Sequence, residues 1–343
     1  MSAPRTLDAS VLIATFNRAP LLDETLQSLA CVQTSRARSW EVIIVDNNSG
    51  DATREVVERH QAGFPVALTY LLETQQGRSS ALNRGIAAAR GRLLAFTDDD
   101  VRVESGWLEA ACAHLLDGDA AIGYAGGPVR PIWGAPPPRW LDLTRSDLWG
   151  TIAIQDHGAA LLNYETARKV PLGANMAVKA DVFDRAGGFR ADLGRADGRV
   201  LLGQEVPEWL HRVRRAGYTG LYVPGMEVHH HIPASRLTTR YFRRWWFGKG
   251  VSRAAMDEVQ PVTELGLDLR RTPHILGVPR FMYGSLLRDV AGLLKEVAAR
   301  RPEAAFRHQM MIAFFAGYFS ARTRRSRMIP PQADPVVNAP RTS

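Results

Sequence analysis

Short apolar runs alternate with segments of helical periodicity along the first third of the chain. The runs at 10–14, 42–45, 67–72 and 93–96 are too short for helices and predict buried strands. Between them, apolar residues recur every three or four positions over 20–29, 52–60 and 79–89, which predicts helices. This alternation indicates an α/β fold with a parallel sheet covered by helices on both faces.

Polar side chains follow the predicted strands. The first strand runs into Thr-Phe-Asn-Arg, the second into Asp-Asn-Asn-Ser-Gly-Asp, and the fourth into three aspartates. Parallel α/β sheets bind ligands beyond the carboxyl ends of their strands. The side chains expected to line that edge are Thr15, Asn17, Asp46, Asn48, Asp98 and Asp100.

Three adjacent carboxylates, Asp98, Asp99 and Asp100, repel one another unless a cation or a helix N-terminus holds them together. In an extended segment alternate side chains share one side, so Asp98 and Asp100 are predicted to bind one Mn²⁺ or Mg²⁺, with Asp99 turned elsewhere. The alternative is that the acids cap a helix over 104–116.

Two familiar phosphate-binding motifs are absent from the sequence. No Gly-x-Gly-x-x-Gly follows the first strand, and no Gly-Lys-Ser/Thr loop exists, so neither a dinucleotide fold nor a P-loop is supported. A phosphate would instead be held by a cation on Asp98 and Asp100, helped by Arg78.

Four motifs in this order resemble family 2 glycosyltransferases: Thr-x-Asn-Arg at 15–18, Val-Asp-x-x-Ser-x-Asp-x-Thr at 45–53, Asn-x-Gly at 83–85, and the aspartates at 98–100. The resemblance covers about 10–250. It implies the GT-A fold, a Rossmann-like and mostly parallel sheet with helices on both faces, here with a C-terminal helical extension. It also implies an inverting, metal-dependent transfer of sugar from a nucleoside diphosphate donor, expected to be a UDP-sugar, to a hydroxyl of a glycan or lipid-linked acceptor.

The resemblance assigns roles to individual residues. Asp46 would accept a hydrogen bond from a uracil N–H, with an Asx-turn or a helix cap ahead of 51–60 as the alternative. Thr15 and Asn17 would border the nucleoside, and Arg78 would face the diphosphate unless it is simply solvated. The other residues assigned to the donor site are Arg18, Asn48, Asn83, Asp99 and Asn175.

The catalytic base is expected near 205. Where the family has two adjacent acids, this chain has Gln204-Glu205, with Glu208 one helical turn later. An inverting transferase needs a carboxylate to take the acceptor's proton, so Glu205 is the predicted base and Glu208 the reserve. The alternative is that both are ordinary first-turn acids of a helix. Gln204 leaves open a second function, that of a non-catalytic nucleotide-sugar-binding subunit of a polysaccharide assembly system.

Three successive histidines follow at 229–231. On an extended segment His229 and His231 would point to one side and His230 to the other. By resemblance, His230 or His231 would complete the metal site, the alternative being a solvated cluster.

The predicted organisation is a catalytic domain over 1–235, a helical region over 236–328 and a disordered tail over 329–343. A Pro-rich loop carries Trp133, Trp140 and Trp149, which would either stack on an acceptor or form local core. Residues 251–279 lack a clear pattern, and 280–301 and 302–320 predict helices. The segment 280–327 would contact a membrane surface, the catalytic domain or a second copy.

The charge and cysteine content of the chain indicate its expected partners and location. A net charge of +8 favours anionic partners, and an anionic membrane surface is preferred here to nucleic acid, which is not expected. No signal-like apolar core opens the chain, and two cysteines suggest a reducing compartment. The expected location is cytoplasmic, with peripheral contact at the inner face of the cell membrane.

Overall fold

A computed structural model describes residues 4–37, 39–191, 205–259 and 268–323. The four predicted strands are β1 (Leu7–Thr15), β2 (Trp40–Asp46), β3 (Ala67–Leu72) and β4 (Gly91–Asp98), which pair in parallel in the order β3-β2-β1-β4. A small sheet of order β5-β11-β7 combines β5 (Val101–Val103), β7 (Val129–Trp133) and β11 (Val228–Ile232). The main sheet continues from β4 through β9 (Asn175–Lys179), β6 (Ile122–Gly126), β10 (Thr219–Tyr222) and β8 (Leu162–Asn163). The mostly parallel α/β fold is confirmed.

Helices cover both faces of the main sheet because its strands alternate side chains between two apolar cores. Val11 and Ile13 of β1 belong to one core, and Leu12 belongs to the other. The first core is closed by α1 (Ala19–Ala30), α2 (Thr53–Gln61) and α4 (Trp107–Leu115). The second is closed by α3 (Arg78–Ala88), α6 (Ala180–Ala186) and α7 (Glu205–Arg215).

The register of the parallel strands brings their polar ends together. Thr15 is opposite Asp46, and Ala14 is opposite Asp98. Three strands therefore end at one edge of the sheet, which is the edge where the sequence predicts a site.

The C-terminal part contains α8 (Thr239–Val259), the hairpin β12 (His274–Ile275) and β13 (Val278–Pro279), α9 (Arg280–Ala298) and α10 (Pro302–Thr323). The two predicted helices of this region are confirmed. The lack of pattern predicted from 251 onward is wrong in part, since α8 extends to Val259. The predicted tail at 329–343 lies outside the described residues, and the domain boundaries stay predictions.

Close packing joins α8 to α10. A Cβ on Gly317 would lie 2.0 Å from the Phe247 carbonyl oxygen, so the two backbones nearly touch. Trp140 of the Pro-rich loop packs edge-on against Phe242 and Phe306, with ring centroids 5.0 and 4.9 Å away. For Trp140 the local-core alternative is therefore the correct one. Across the described ranges, no helix is long and apolar enough to cross a bilayer.

Candidate active site

The acid triplet stands where β4 ends. Asp98 is the last residue of the strand, and the chain turns at Asp99 and Asp100 before β5 begins. Because the segment is not extended beyond Asp98, the three carboxylates face different partners. The capping alternative does not describe them, since α4 starts at Trp107 without a side-chain cap hydrogen bond.

Asp99 and Asp100 share one guanidinium. Arg18 Nη1 donates to Asp99 Oδ1 at 2.8 Å and to Asp100 Oδ2 at 2.7 Å. The Thr15 hydroxyl donates to the second oxygen of Asp99 at 2.8 Å. Burial together with the neighbouring carboxylates raises the pKa of Asp99 to about 6, even though Arg18 opposes that shift.

Of the three aspartates in the triplet, Asp100 is the one that lies beside a histidine. Its Oδ1 lies 3.6 Å from His230 Nε2, and its Oδ2 lies 3.5 Å from Arg236 Nη2. Burial opposes ionisation of Asp100, but the interaction with His230 and the charges of Arg18 and Arg236 outweigh it and lower the pKa. Within the described ranges, the buried Asp100 Oδ1 has no hydrogen-bond partner.

Arg78 connects the triplet to the predicted base. It begins α3 directly after Gly77, whose φ of 135° suits a glycine. Its Nη2 donates to Asp98 Oδ1 at 2.6 Å, and its Nη1 lies 3.4 Å from Glu205 Oε1. Burial opposes the charge of Arg78, but the carboxylates of Asp98 and Glu205 outweigh it and raise the pKa. Arg78 is therefore bound between acids and is not a solvated loop arginine.

The two acids of α7 have different surroundings. Glu208 forms a two-pronged ion pair with Arg212, with both N–O distances at 2.9 Å, and Arg212 also donates to the carbonyl of Gly188 at 2.7 Å. Glu205 is buried, and its Oε2 has no hydrogen-bond partner among the residues that the structure describes. Gln204, the departure from the family pattern, lies outside the described residues.

The histidines alternate as the strand period predicts. On β11, His230 is buried and faces Asp100, whereas His229 and His231 face the other side. His231 Nε2 lies 3.0 Å from Glu24 on α1, so the structure does not bring this predicted metal ligand to the triplet. Of the two candidates, His230 is the one at the site.

Asp98, Asp100 and His230 offer ligand atoms that suit a hard divalent cation. In this structure those atoms do not surround one common point. Carboxylate oxygens with one imidazole are ligands that Mn²⁺ and Mg²⁺ accept, and the unpartnered Asp100 Oδ1 is available to one. Arginines instead neutralise the acids in this arrangement. The described residues gather three donor atoms within 4.8 Å at Glu104, Glu227 and His229, which lie on the outer side of β11.

The loops after β1 and β2 bind each other. Asp46 is buried and accepts hydrogen bonds from the Ser49 amide and the Tyr70 hydroxyl, both at 2.8 Å, so the turn alternative describes its present partners. Asn17 Oδ1 accepts from the Gly50 amide at 2.8 Å. Asn17 and Asn48 have φ angles of 53° and 66°, a left-handed conformation that Asn tolerates better than most residues.

The side chains of two residues assigned to the donor site bond other parts of the protein in this structure. Asn83 exchanges two hydrogen bonds with the backbone of Phe189, at 2.7 and 2.8 Å. Asn175 is fully buried: it accepts from Trp107 Nε1 and donates to the carbonyls of Pro128 and Met226. The prediction that Asn175 lines a ligand site is therefore corrected, because its side-chain donors and acceptor are used inside the protein.

We expect Asn175→Ala to lower the free energy of unfolding by about 2 to 4 kcal/mol, because an indole N–H and two carbonyls lose a buried partner. Urea denaturation measures this change. Nucleotide affinity of the folded variant should be unchanged, and normal stability with weakened nucleotide binding would contradict the structural role.

Two contributors escaped the sequence analysis. Asn47 donates to the carbonyls of Glu73 and Gln75 and accepts from the Gly77 amide, which fixes the loop preceding Arg78. Arg236, in a short 3-10 turn after β11, reaches His230 Nε2 at 3.2 Å. Asn47 lies in the motif at 45–53, where roles are assigned only to its neighbours Asp46 and Asn48. No local sequence pattern distinguishes Arg236 from the other arginines.

A mostly parallel sheet with an acid triplet ending a central strand is the architecture of GT-A glycosyltransferases. A mannosyltransferase from Pyrobaculum calidifontis, solved in complex with GDP-Man and Mn²⁺, matches 95% of this chain and 90% of its own at a TM-score of 0.61 and 19% identity. Residues 10–169 match the glycosyl transferase family 2 model. Residues 10–169 are therefore a family 2 glycosyltransferase domain, and the enzyme class that this domain supports is a glycosyltransferase.

Relatives by sequence point to the same enzyme class. The succinoglycan biosynthesis protein ExoM of Rhizobium meliloti is 27% identical over 71% of this chain and 74% of its own length. A glucosyl-dolichyl phosphate glucuronosyltransferase of Haloferax volcanii is 24% identical over 74% of this chain and 79% of its own.

Proposed function

We propose that the chain transfers a sugar, with inversion, from a nucleoside diphosphate sugar to a hydroxyl of a glycan or lipid-linked acceptor. A UDP-sugar is the first donor to test. The observation that carries the proposal is the position of Arg78, which bonds Asp98 at the strand end and lies beside Glu205. These two contacts support the proposal, because Arg78, the residue proposed to face the diphosphate, neighbours the proposed base.

Glu205 would act as general base. Its Oε2 is the acceptor atom with no partner among the described residues, so it can take the proton of the acceptor hydroxyl. The hydroxyl oxygen then forms a bond to the anomeric carbon, and the bond from that carbon to the phosphate oxygen breaks. The electron pair leaves with the diphosphate. Displacement from the opposite side of the sugar inverts the anomeric centre.

Asp98, Asp100 and His230 would hold a divalent cation, Mn²⁺ or Mg²⁺. When bound, the cation offsets the charge that builds on the leaving diphosphate. Support comes from the chemistry of these two carboxylates and one imidazole. It also comes from Asp100 Oδ1, which has no hydrogen-bond partner among the described residues. The arginines that now neutralise the acids, Arg18 and Arg78, would turn to the phosphates once a cation takes over the carboxylates.

The relatives support the proposed class of acceptor. The relatives include a succinoglycan biosynthesis protein and an enzyme acting on a dolichyl phosphate sugar, which favours a polysaccharide or lipid-linked acceptor. Peripheral contact of 280–327 with the inner face of the cell membrane belongs to the same proposal.

The test is thermal stabilisation by UDP, GDP and dTDP, each with and without Mn²⁺. We expect UDP with Mn²⁺ to raise the melting temperature by on the order of 5 °C at about a hundred times the dissociation constant. The shift should require the metal and should disappear in Asp98→Asn. A larger response to GDP or dTDP would move the donor search, and no response to any nucleotide would count against the proposed site.

A further inference from the structure

The outward face of α9 carries an apolar stripe that the described chain leaves uncovered. Four side chains at spacings of three, four and three residues form it, which places them in one line along the helix. Their exposed fractions are 68% for Leu287, 38% for Val290, 67% for Leu294 and 59% for Val297. Below, these four residues are called the α9 stripe.

The opposite face of α9 packs on α10. Met282 is buried there, and Gly292 lets the helices approach so closely that a Cβ would lie 2.4 Å from His308. In contrast, apolar residues of α10 are buried inside the protein, since Phe306 and Met310 belong to the core that contains Trp140 and part of α8. Of the two C-terminal helices, α9 is therefore the one with a free apolar face.

Charge is distributed unequally around α9. Both of its acids face α10: Asp289 lies 2.8 Å from His308, and Glu296 is 14% exposed beside Arg301. Of its three basic residues, two, Arg288 and Lys295, directly follow a leucine of the stripe, and both are exposed. The outer surface thus combines leucine and valine with positive charge.

A hairpin tip extends the same surface. The Tyr283 hydroxyl donates to the Ile275 carbonyl at 3.0 Å, and Tyr283 lies one turn before Leu287, which places the tip beside the start of the stripe. At that tip Leu276 is 78% exposed and Ile275 is 46% exposed. Arg270 and Arg271, just before the hairpin, have exposed side chains and share one acidic partner, Asp268, which leaves an excess of positive charge there.

We infer that the α9 stripe and the hairpin tip form a docking surface for an anionic lipid bilayer. Leucine and valine enter the boundary between headgroups and acyl chains, while arginine and lysine pair with anionic headgroups. A second copy of the chain fits less well, because pairing two stripes would bring Arg288 and Lys295 against like charges. The inference deepens the proposed membrane contact and rests on that part of the proposed function.

The experiment is cosedimentation of the full chain with vesicles of phosphatidylcholine, alone or with about a third phosphatidylglycerol. We expect binding to the anionic vesicles, and at least about tenfold weaker binding by L287S/L294S. R288Q/K295Q should lose about fivefold per charge at low salt, with the difference shrinking at high salt.

L161S/V170S is the matched control, since Leu161 and Val170 are exposed on the catalytic domain and their replacement should leave vesicle binding unchanged. Nucleotide-dependent thermal stabilisation, measured on the same samples, separates failure of this surface from failure of the transfer site. Equal vesicle binding by L287S/L294S and the unaltered chain would overturn the inference. The inference would also be overturned if the unaltered chain bound no vesicles but formed a dimer, and L287S/L294S were monomeric. That result would assign the stripe to a second copy.

Discussion

Asp100→Asn is expected to lower sugar transfer by about a thousandfold, and Asp98→Asn should have a similar effect. In the proposed mechanism Asp98 and Asp100 hold a divalent cation, so removing one carboxylate would weaken binding of that cation. The neutralisation of the leaving diphosphate, an electrostatic contribution of several kcal/mol, would weaken with it. Asp100 carries the buried oxygen that has no partner among the described residues, and Asp98 is held by Arg78 alone among those residues' hydrogen bonds.

Asp99→Asn is the matched control for the triplet. Both oxygens of Asp99 already accept hydrogen bonds, from Thr15 and Arg18, so its role is to position these side chains. An amide preserves the acceptor for Thr15, and we expect a loss of about tenfold or less. In each of the three variants one carboxylate oxygen is replaced by an amide NH2 group. Their comparison therefore tests the position of the carboxylate in the triplet.

The substitution at Asp100 also disturbs a buried charge group, so activity must be compared per folded molecule. Breaking a buried ion pair costs about 3 to 5 kcal/mol, and Arg18, Arg236 and His230 would lose a partner here. A second readout avoids this difficulty: the Mn²⁺ concentration that gives half of the UDP-dependent thermal shift should rise at least about tenfold. Near-normal transfer by either Asp100→Asn or Asp98→Asn would remove the metal argument.

The strands and the edge of the sheet were predictable because they depend on short-range regularities. An apolar run ending in Asp98 defines a strand and its polar end, and the period of two along β11 separates His230 from His231. Both results follow from the geometry of one extended segment, without knowledge of what packs around it.

The partners of individual polar side chains were not predictable in the same way. Asn175 lies in a family motif, but its indole partner Trp107 is 68 positions away in the sequence. Arg236 reaches Asp100 only because β11 pairs with β5 at the end of the triplet. Whether such a side chain supports the fold or faces a ligand depends on tertiary contacts, which no local pattern contains.

The length of α8 was missed for a related reason. Beyond 250 its buried positions include the polar residues Ser252 and Asp257, so no apolar stripe marks the part of the helix that packs on α10 and the hairpin. A helix that is buried on several sides loses the amphipathic signal by which sequence analysis finds helices.

Glu205→Gln is expected to slow transfer by about a hundred- to ten-thousandfold while leaving UDP binding intact. The amide keeps the shape of the side chain and its contact with Arg78 but cannot take a proton, so the loss falls on the chemical step. The maximal rate should therefore fall with little change in the UDP-dependent thermal shift. Single-turnover measurement with donor already bound isolates that step.

Glu208→Gln separates base from scaffold within one helical turn. Glu208 is bound at both oxygens by Arg212, which also holds the carbonyl of Gly188, so the variant should lose about 1 to 3 kcal/mol of stability. Its transfer rate per folded molecule should stay within about tenfold of the unaltered chain, since Arg212 binds both oxygens of Glu208, whereas Glu205 Oε2 has no hydrogen-bond partner among the described residues. If Glu208→Gln alone abolished transfer while Glu205→Gln remained active, the roles of the two acids would be reversed, and Arg212 would have to release the base during the reaction.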